Sequence, residues 1–258
     1  MGIPAYLTSK IGQSIHCWLS LAHFYLRSGT TTDGAELWPS LPADTLAILN
    51  EFLAERSNRE AEEKDRIVNK TGKDAHFEED WQLSQFWYST QTKHTVRDVV
   101  KKLLEEQNPD SRDNFNIALL SCPSLYKDIK DIHDQVNIFE FDQRFGAYGT
   151  DFVYYDFNCI DNNPDYLKEH HKQYDLIVAD PPFLSQECIT KMSQIITKLQ
   201  RDPSKSKLIF CSGEVVEPWL ITCLPVHKCN FRPEHERNLG NEFVSYANFN
   251  LDNYIENK

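Results

Sequence analysis

The sequence predicts an α/β fold: a doubly wound, mostly parallel sheet of seven strands with an antiparallel closing hairpin. Three observations predict it. From residue 115 onward, apolar runs of β-branched and aromatic residues alternate with helical or polar segments. That alternation builds parallel strands with helices on both faces of the sheet. The last two runs are joined only by RPEHERNLGN, a turn-rich link that reads as a hairpin and not as another crossover. Finally, the second, third and fourth runs each end in an acidic residue, where a doubly wound sheet gathers its ligands.

The elements follow in order. Residues 1–41 form a poorly defined N-terminal extension, in which 11–26 is too short and too interrupted by His and Ser to span a bilayer. That stretch also has no clean apolar region with a small-residue cleavage site, as a signal peptide would. Residues 42–80 read as a helix over 43–65 and a polar linker. The main domain spans 81–252 and opens on WQLSQFWYS, followed by a helix over 91–107; residues 253–258 are a tail. Strands are predicted at 115–120, 135–141, 151–155, 174–179, 207–211, 227–231 and 242–249. Helical or polar segments are predicted at 123–131, 143–148, 163–171, 184–200 and 214–224.

Composition narrows the function. The chain has 258 residues and a formal net charge of −12, from 27 basic and 39 acidic residues. Most of such a surface repels nucleic acid, and no dense run of Lys or Arg offsets it. A basic protein partner suits it better. Seven cysteines (17, 122, 159, 188, 211, 223 and 229) show no CxxC pair. They read as free thiols in a reducing compartment, consistent with the cytoplasm. No His/Cys cluster has zinc spacing, so no metal is expected.

The strand ends carry the chemistry. Glu140, with Asp142 as second choice, is placed to accept two ribose hydroxyls. Asp156 is placed to accept from an adenine amine. Each of these carboxylates equally suits a helix or turn cap. The fourth strand runs into Asp180-Pro181-Pro182-Phe183. Two prolines remove two backbone donors and stiffen the turn, leaving fixed carbonyl acceptors. Asp180 and the Pro181 carbonyl can each accept an N–H from an amine, and Phe183 can pack on a flat base or a cationic side chain. The motif orients a nitrogen; no general base is evident. His235-Glu236-Arg237-Asn238 reads as a polar turn between the closing strands, with substrate docking by Arg237 or Asn238 as the alternative.

At these residues the sequence resembles class I methyltransferases with the (Asp/Asn)-Pro-Pro-(Phe/Tyr/Trp) motif. With WQLSQFWYS, FEFDQRFGAYGTDFVYYDFN, VADPPFLSQEC and HERNLGNEFVSYANF, it resembles the elongation factor 1-alpha lysine methyltransferase family. The resemblance implies the class I methyltransferase fold, S-adenosylmethionine as cofactor and elongation factor 1-alpha as the protein substrate. It further implies a cytoplasmic enzyme, expected as a monomer, with no membrane association and no nucleic acid as direct substrate. Asp180, Pro181, Pro182 and Phe183 would then hold the lysine amine. Glu140, Asp142 and Asp156 would hold the cofactor, with Ser121 at the first loop and Trp87 and Tyr88 covering the site. The first strand is followed by Ser121-Cys122-Pro123-Ser124, not by the superfamily's Gly-rich loop. Two alternatives stay open: a nucleic-acid adenine methyltransferase using the same motif, and a non-catalytic binding module on the same fold.

Overall fold

The computed structural model describes residues 77, 79, 80, 83, 85–237 and 242–255. The predicted helix over 43–65, the extension 1–41, Trp81 and Asn238 lie outside the described residues.

Helix α1 (Thr90–Glu105) starts where Ser89 Oγ accepts from the Thr92 amide, a side-chain cap for an otherwise unpaired donor. Val96, Val99, Val100, Leu103 and Leu104 recur at helical spacing and are all buried. Asn108 caps α2 (Pro109–Asp113). The sheet follows: β1 (Ile117–Leu120), α3 (Tyr126–Lys130), β2 (Val136–Glu140), β3 (Phe152–Tyr154), β4 (Leu176–Ala179), α4 (Gln186–Leu199), β5 (Lys207–Gly213), α5 (Glu217–Cys223), β6 (His227–Lys228) and β7 (Phe243–Ala247).

The strand order is β3-β2-β1-β4-β5-β7-β6. β1 to β5 pair in parallel, and β7 lies antiparallel between β5 and β6. This is the doubly wound, mostly parallel sheet with an antiparallel closing hairpin that the strand pattern predicts, and the class I methyltransferase fold that the resemblance implies. The order reverses between β1 and β4. A ligand crevice opens outside the carboxyl ends of the strands at such a switch point.

The period of two divides the core. Ile117 and Leu119 face one apolar cluster with the buried face of α1, whereas Ala118 and Leu120 face the other with α4. All four β1 residues are buried, which explains why a central strand reads as a continuous apolar run. Phe77 also belongs to this core, packed on Phe145 and Tyr148 with ring centroids 4.7 and 5.3 Å away.

The sixth strand is shorter than predicted, and two of the helical or polar segments are turns. The segment over 143–148 is a run of 3-10 turns, Gln143–Asp151, broken by Gly149 at φ 65°. The segment 163–171 is turns with one 3-10 turn, Lys168–His170. Leu167 and Lys172 at positive φ exclude a continuous helix there. The sixth strand, predicted over 227–231, stops at Lys228. The Cys229 amide still reaches Ser245, but the Asn230 amide turns away to the Asp252 carboxylate.

Candidate active site

The switch point joins two chain ends. The Asp180 amide donates to the Leu120 carbonyl at 3.0 Å, so the first residue after β4 is still held by β1. Pro181 and Pro182 then leave the sheet. Ser185 caps α4 through the Cys188 amide, which fixes where the turn must end. Leu184 inside this turn crowds the end of β5. A Cβ on Gly213 would lie 2.8 Å from Leu184 Cδ1, so a larger residue there would shift that side chain. Phe183 is left 48% exposed, with its ring edge toward Phe157 at 6.1 Å.

Asp180 Oδ2 accepts a 2.6 Å hydrogen bond from the Tyr88 hydroxyl. Burial pushes the Asp180 carboxyl up to about 7, and the Tyr88 bond opposes that rise. The Tyr88 ring is fully enclosed, 1% exposed. Its segment pairs with the link between β6 and β7: Ser89 donates to the Glu234 carbonyl and Glu236 donates to the Trp87 carbonyl, both at 2.8 Å. His235 packs between Tyr88 and Phe243, at 4.9 and 4.5 Å between ring centroids. Burial pushes His235 down to about 4, which makes it a neutral packing ring near pH 7. Arg237 pairs with Glu79 at 3.3 Å.

A second corner forms at the end of β2. Glu140 and Asp142 are both buried, and Gln85 Nε2 donates to each of them, at 2.9 and 3.1 Å. Burial raises Glu140 to about 7, while the Gln85 bond opposes the rise. Asp142 is further engaged: Arg144 donates to it from its amide (2.9 Å) and from Nε (2.7 Å). Beside them Phe141 and Tyr154 are 45% and 42% exposed, with ring centroids 5.8 Å apart.

Asp156, at the end of β3, is buried and caps the turn Phe157–Ile160 through the Asn158 amide. The Asp156 amide donates to the Tyr166 hydroxyl at 2.7 Å. Lys191 of α4 reaches Asn158 Oδ1 at 3.0 Å and pairs with Asp161 and Glu187. This links the turn after β3 to the helix after Phe183. Ser121, at the end of β1, has φ 55°, and its amide donates to the Phe139 carbonyl. A non-glycine residue there costs roughly 1–2 kcal/mol, so the loop after β1 turns sharply without the superfamily's glycine.

The structure therefore brings Asp180, Tyr88, Ser121, Glu140 and Asp142 to the carboxyl ends of the central strands, with Asp156 one strand further out. Trp87 contributes its backbone to the pairing with Glu236 and takes a 2.9 Å bond from its amide to Glu79. Tyr88 is committed to Asp180 through its hydroxyl. Sequence reasoning missed Gln85 and Arg144, which fix the carboxylates at the β2 end. Gln85 lies inside WQLSQFWYS, but an isolated amide carries no spacing signal. Arg144 follows Asp142 by two residues, and its side chain reads as solvated until the fold closes on it.

A family model described as "Probable N6-adenine methyltransferase" matches residues 79–251. The chain belongs to that methyltransferase family. Among curated relatives, "Protein-lysine N-methyltransferase CG9154" of Drosophila melanogaster is 78% identical over 85% of this chain and 98% of its own length. "EEF1A lysine methyltransferase 1" of Mus musculus is 38% identical over 82% of this chain and 92% of its own. The Homo sapiens protein of the same name is 36% identical, with the same coverage of both chains. Among solved structures, TrmN from Thermus thermophilus matches 59% of this chain and 47% of its own, at a TM-score of 0.38 and 11% identity.

S-adenosylmethionine is the methyl donor of this methyltransferase. The residues present fit it. Buried acceptors end β2 and β3, and exposed aromatic faces flank Glu140, which suits a group carrying ribose hydroxyls and a flat base. Among the described residues no helix is long and apolar enough to cross a membrane. No group of three or more His, Cys, Asp or Glu among them is placed to hold a metal ion. The six described cysteines are free.

Proposed function

We propose that this methyltransferase transfers methyl groups to a lysine ε-amine of translation elongation factor 1-alpha, acting as a monomer in the cytoplasm. The observation that carries the proposal is the rigid Asp180-Pro181-Pro182-Phe183 turn at the switch point, in a chain 36–39% identical to enzymes named for that reaction. The net charge of −12 supports a basic protein substrate over nucleic acid.

In this proposal Glu140 and Asp156 hold the cofactor, with Ser121 lining the first loop and Asp142 bracing Glu140 through Gln85. The bound cofactor supplies a methyl group on a sulfonium centre. Phe183 packs on the lysine stem and its cationic head. Asp180 and the Pro181 carbonyl accept the amine N–H bonds and aim the nitrogen lone pair. Alignment of the amine by this turn would supply most of the acceleration. The amine must first lose a proton. Asp180 acts on the free amine as an ionised acceptor, held in that form by the Tyr88 hydroxyl.

Incubation with labelled cofactor and purified elongation factor 1-alpha tests this. Label in the protein, removed by protease and located on lysine by mass spectrometry, is the expected result. Label in DNA or tRNA oligonucleotides instead would favour adenine methylation. No transfer and no cofactor binding by calorimetry would favour a non-catalytic module.

A further inference from the structure

The buried face of Asp180 has one polar partner that the cradle itself does not explain. The groups facing its carboxylate, among the described residues, are Tyr88 ahead of α1, Cys122 after β1, Cys211 on β5 and Glu140 on β2. None is a cation. Tyr88 reaches Oδ2 at 2.6 Å, within the range for a hydroxyl donating to a charged oxygen. Its ring has little freedom to leave. The Ser89 and Glu236 amide bonds hold its backbone on both sides, and His235 covers its face. The Tyr88 amide adds a 3.4 Å bond to Ser124 Oγ.

We infer that Tyr88 is a positioning residue for methyl transfer: its hydroxyl holds the Asp180 carboxylate in one orientation and favours its ionised form. The inference rests on the proposed role of Asp180 as the amine acceptor. The physical reason is the imbalance around Asp180. Burial disfavours the charge, no cation compensates, and one hydrogen-bond donor favours it. Without that donor Asp180 would carry a proton near pH 7. A protonated carboxyl would offer a donor where the amine needs an acceptor. Its freed oxygen could also rotate away from the Pro181 carbonyl.

Tyr88→Phe removes the hydroxyl and keeps the ring. Methyl transfer to lysine, measured from pH 6 to 9.5, should then show its acid limb in kcat moved up by about one pH unit. The rate at pH 7 should drop several-fold and recover at pH 9. Cofactor affinity and Tm at pH 9 should match the wild type. The second variant, 3-fluorotyrosine at position 88, is a stronger donor and should move the limb down. An unmoved limb in both variants, or a loss in Tyr88→Phe that persists equally at every pH, would overturn the inference.

A substrate-free readout separates this from the reading beneath it. The Asp180 carboxyl, followed by 13C NMR in the full chain and assigned with Asp180→Asn, should titrate higher in Tyr88→Phe than in wild type. An unchanged titration would sink the inference whatever the substrate. A shifted titration with no transfer to any protein would leave Tyr88 as the partner of Asp180 and remove the lysine reading.

Discussion

The two acidic corners of the site look alike by burial and differ in what holds them. At the end of β4, Asp180 has a single hydroxyl donor, Tyr88, and is raised to about 7. At the end of β2, Glu140 is raised to about 7 as well, but it shares the Gln85 amide with Asp142, which in turn is tied to Arg144. The first corner rests on one neutral donor, so its ionised form depends on that donor alone among the described residues. The second is a braced acceptor set with a cation built in, suited to hydroxyl groups that keep their protons. Equal burial therefore leads to different chemistry, decided by the partner.

Removing the acceptor at each corner breaks this comparison most strongly. Asp180→Ala should lower kcat/KM for methyl transfer by about 10²- to 10³-fold, the scale for losing a polar group that acts in the transition state. Its cofactor affinity by calorimetry should stay close to wild type. Glu140→Ala should do the reverse and weaken cofactor binding by roughly 10- to 100-fold, from about 1.5–3 kcal/mol for hydrogen bonds to a charged acceptor. If both variants lose cofactor binding equally, the two corners are not separate in function.

Gly213→Ala tests the turn between them. The new methyl must shift the partly exposed Leu184 side chain, at about 1 kcal/mol, the low end for overpacking. A lower Tm and a several-fold fall in kcat are expected, with cofactor affinity little changed.

The smallest effect sharpens the role of burial. Asp180 has a folded-state pKa raised above its ordinary value of 3.8. Its contribution to stability is thus fully present below pH 4 and is lost as pH rises through about 7. Asp180→Asn, which cannot ionise, should gain on wild type across that window and hold a constant advantage above it. Chemical denaturation at pH 4, 6 and 8 measures this. An advantage that is flat with pH would mean that Asp180 is not titrating in the folded protein.

Much of the fold was legible because its signals are local. The apolar run of β1 and the Pro-Pro stop after β4 depend on neighbours a few residues away. The short elements were less legible. Gln143–Asp151 has helix-compatible composition, but Gly149 breaks it, and β6 ends early because Asp252 captures the Asn230 amide. In both places a residue's conformation or a distant carboxylate overrode the local pattern.

The sequence alone determined the strand–helix alternation, the acidic strand ends and the rigid turn at Asp180, since each follows from side-chain period and proline stereochemistry. It left Glu140 and Asp142 as first and second choice for one role. Only the tertiary structure decided that both are held by Gln85, and that Tyr88, 92 residues before Asp180, meets its carboxylate. Those contacts exist because the sheet places β4 beside β1 and the link between β6 and β7 pins the segment ahead of α1 across their ends. Hydrogen bonds of that kind leave no periodicity in the chain. They also bear on the charge of a buried carboxylate, which is why the partner of Asp180 became legible only once the fold was closed.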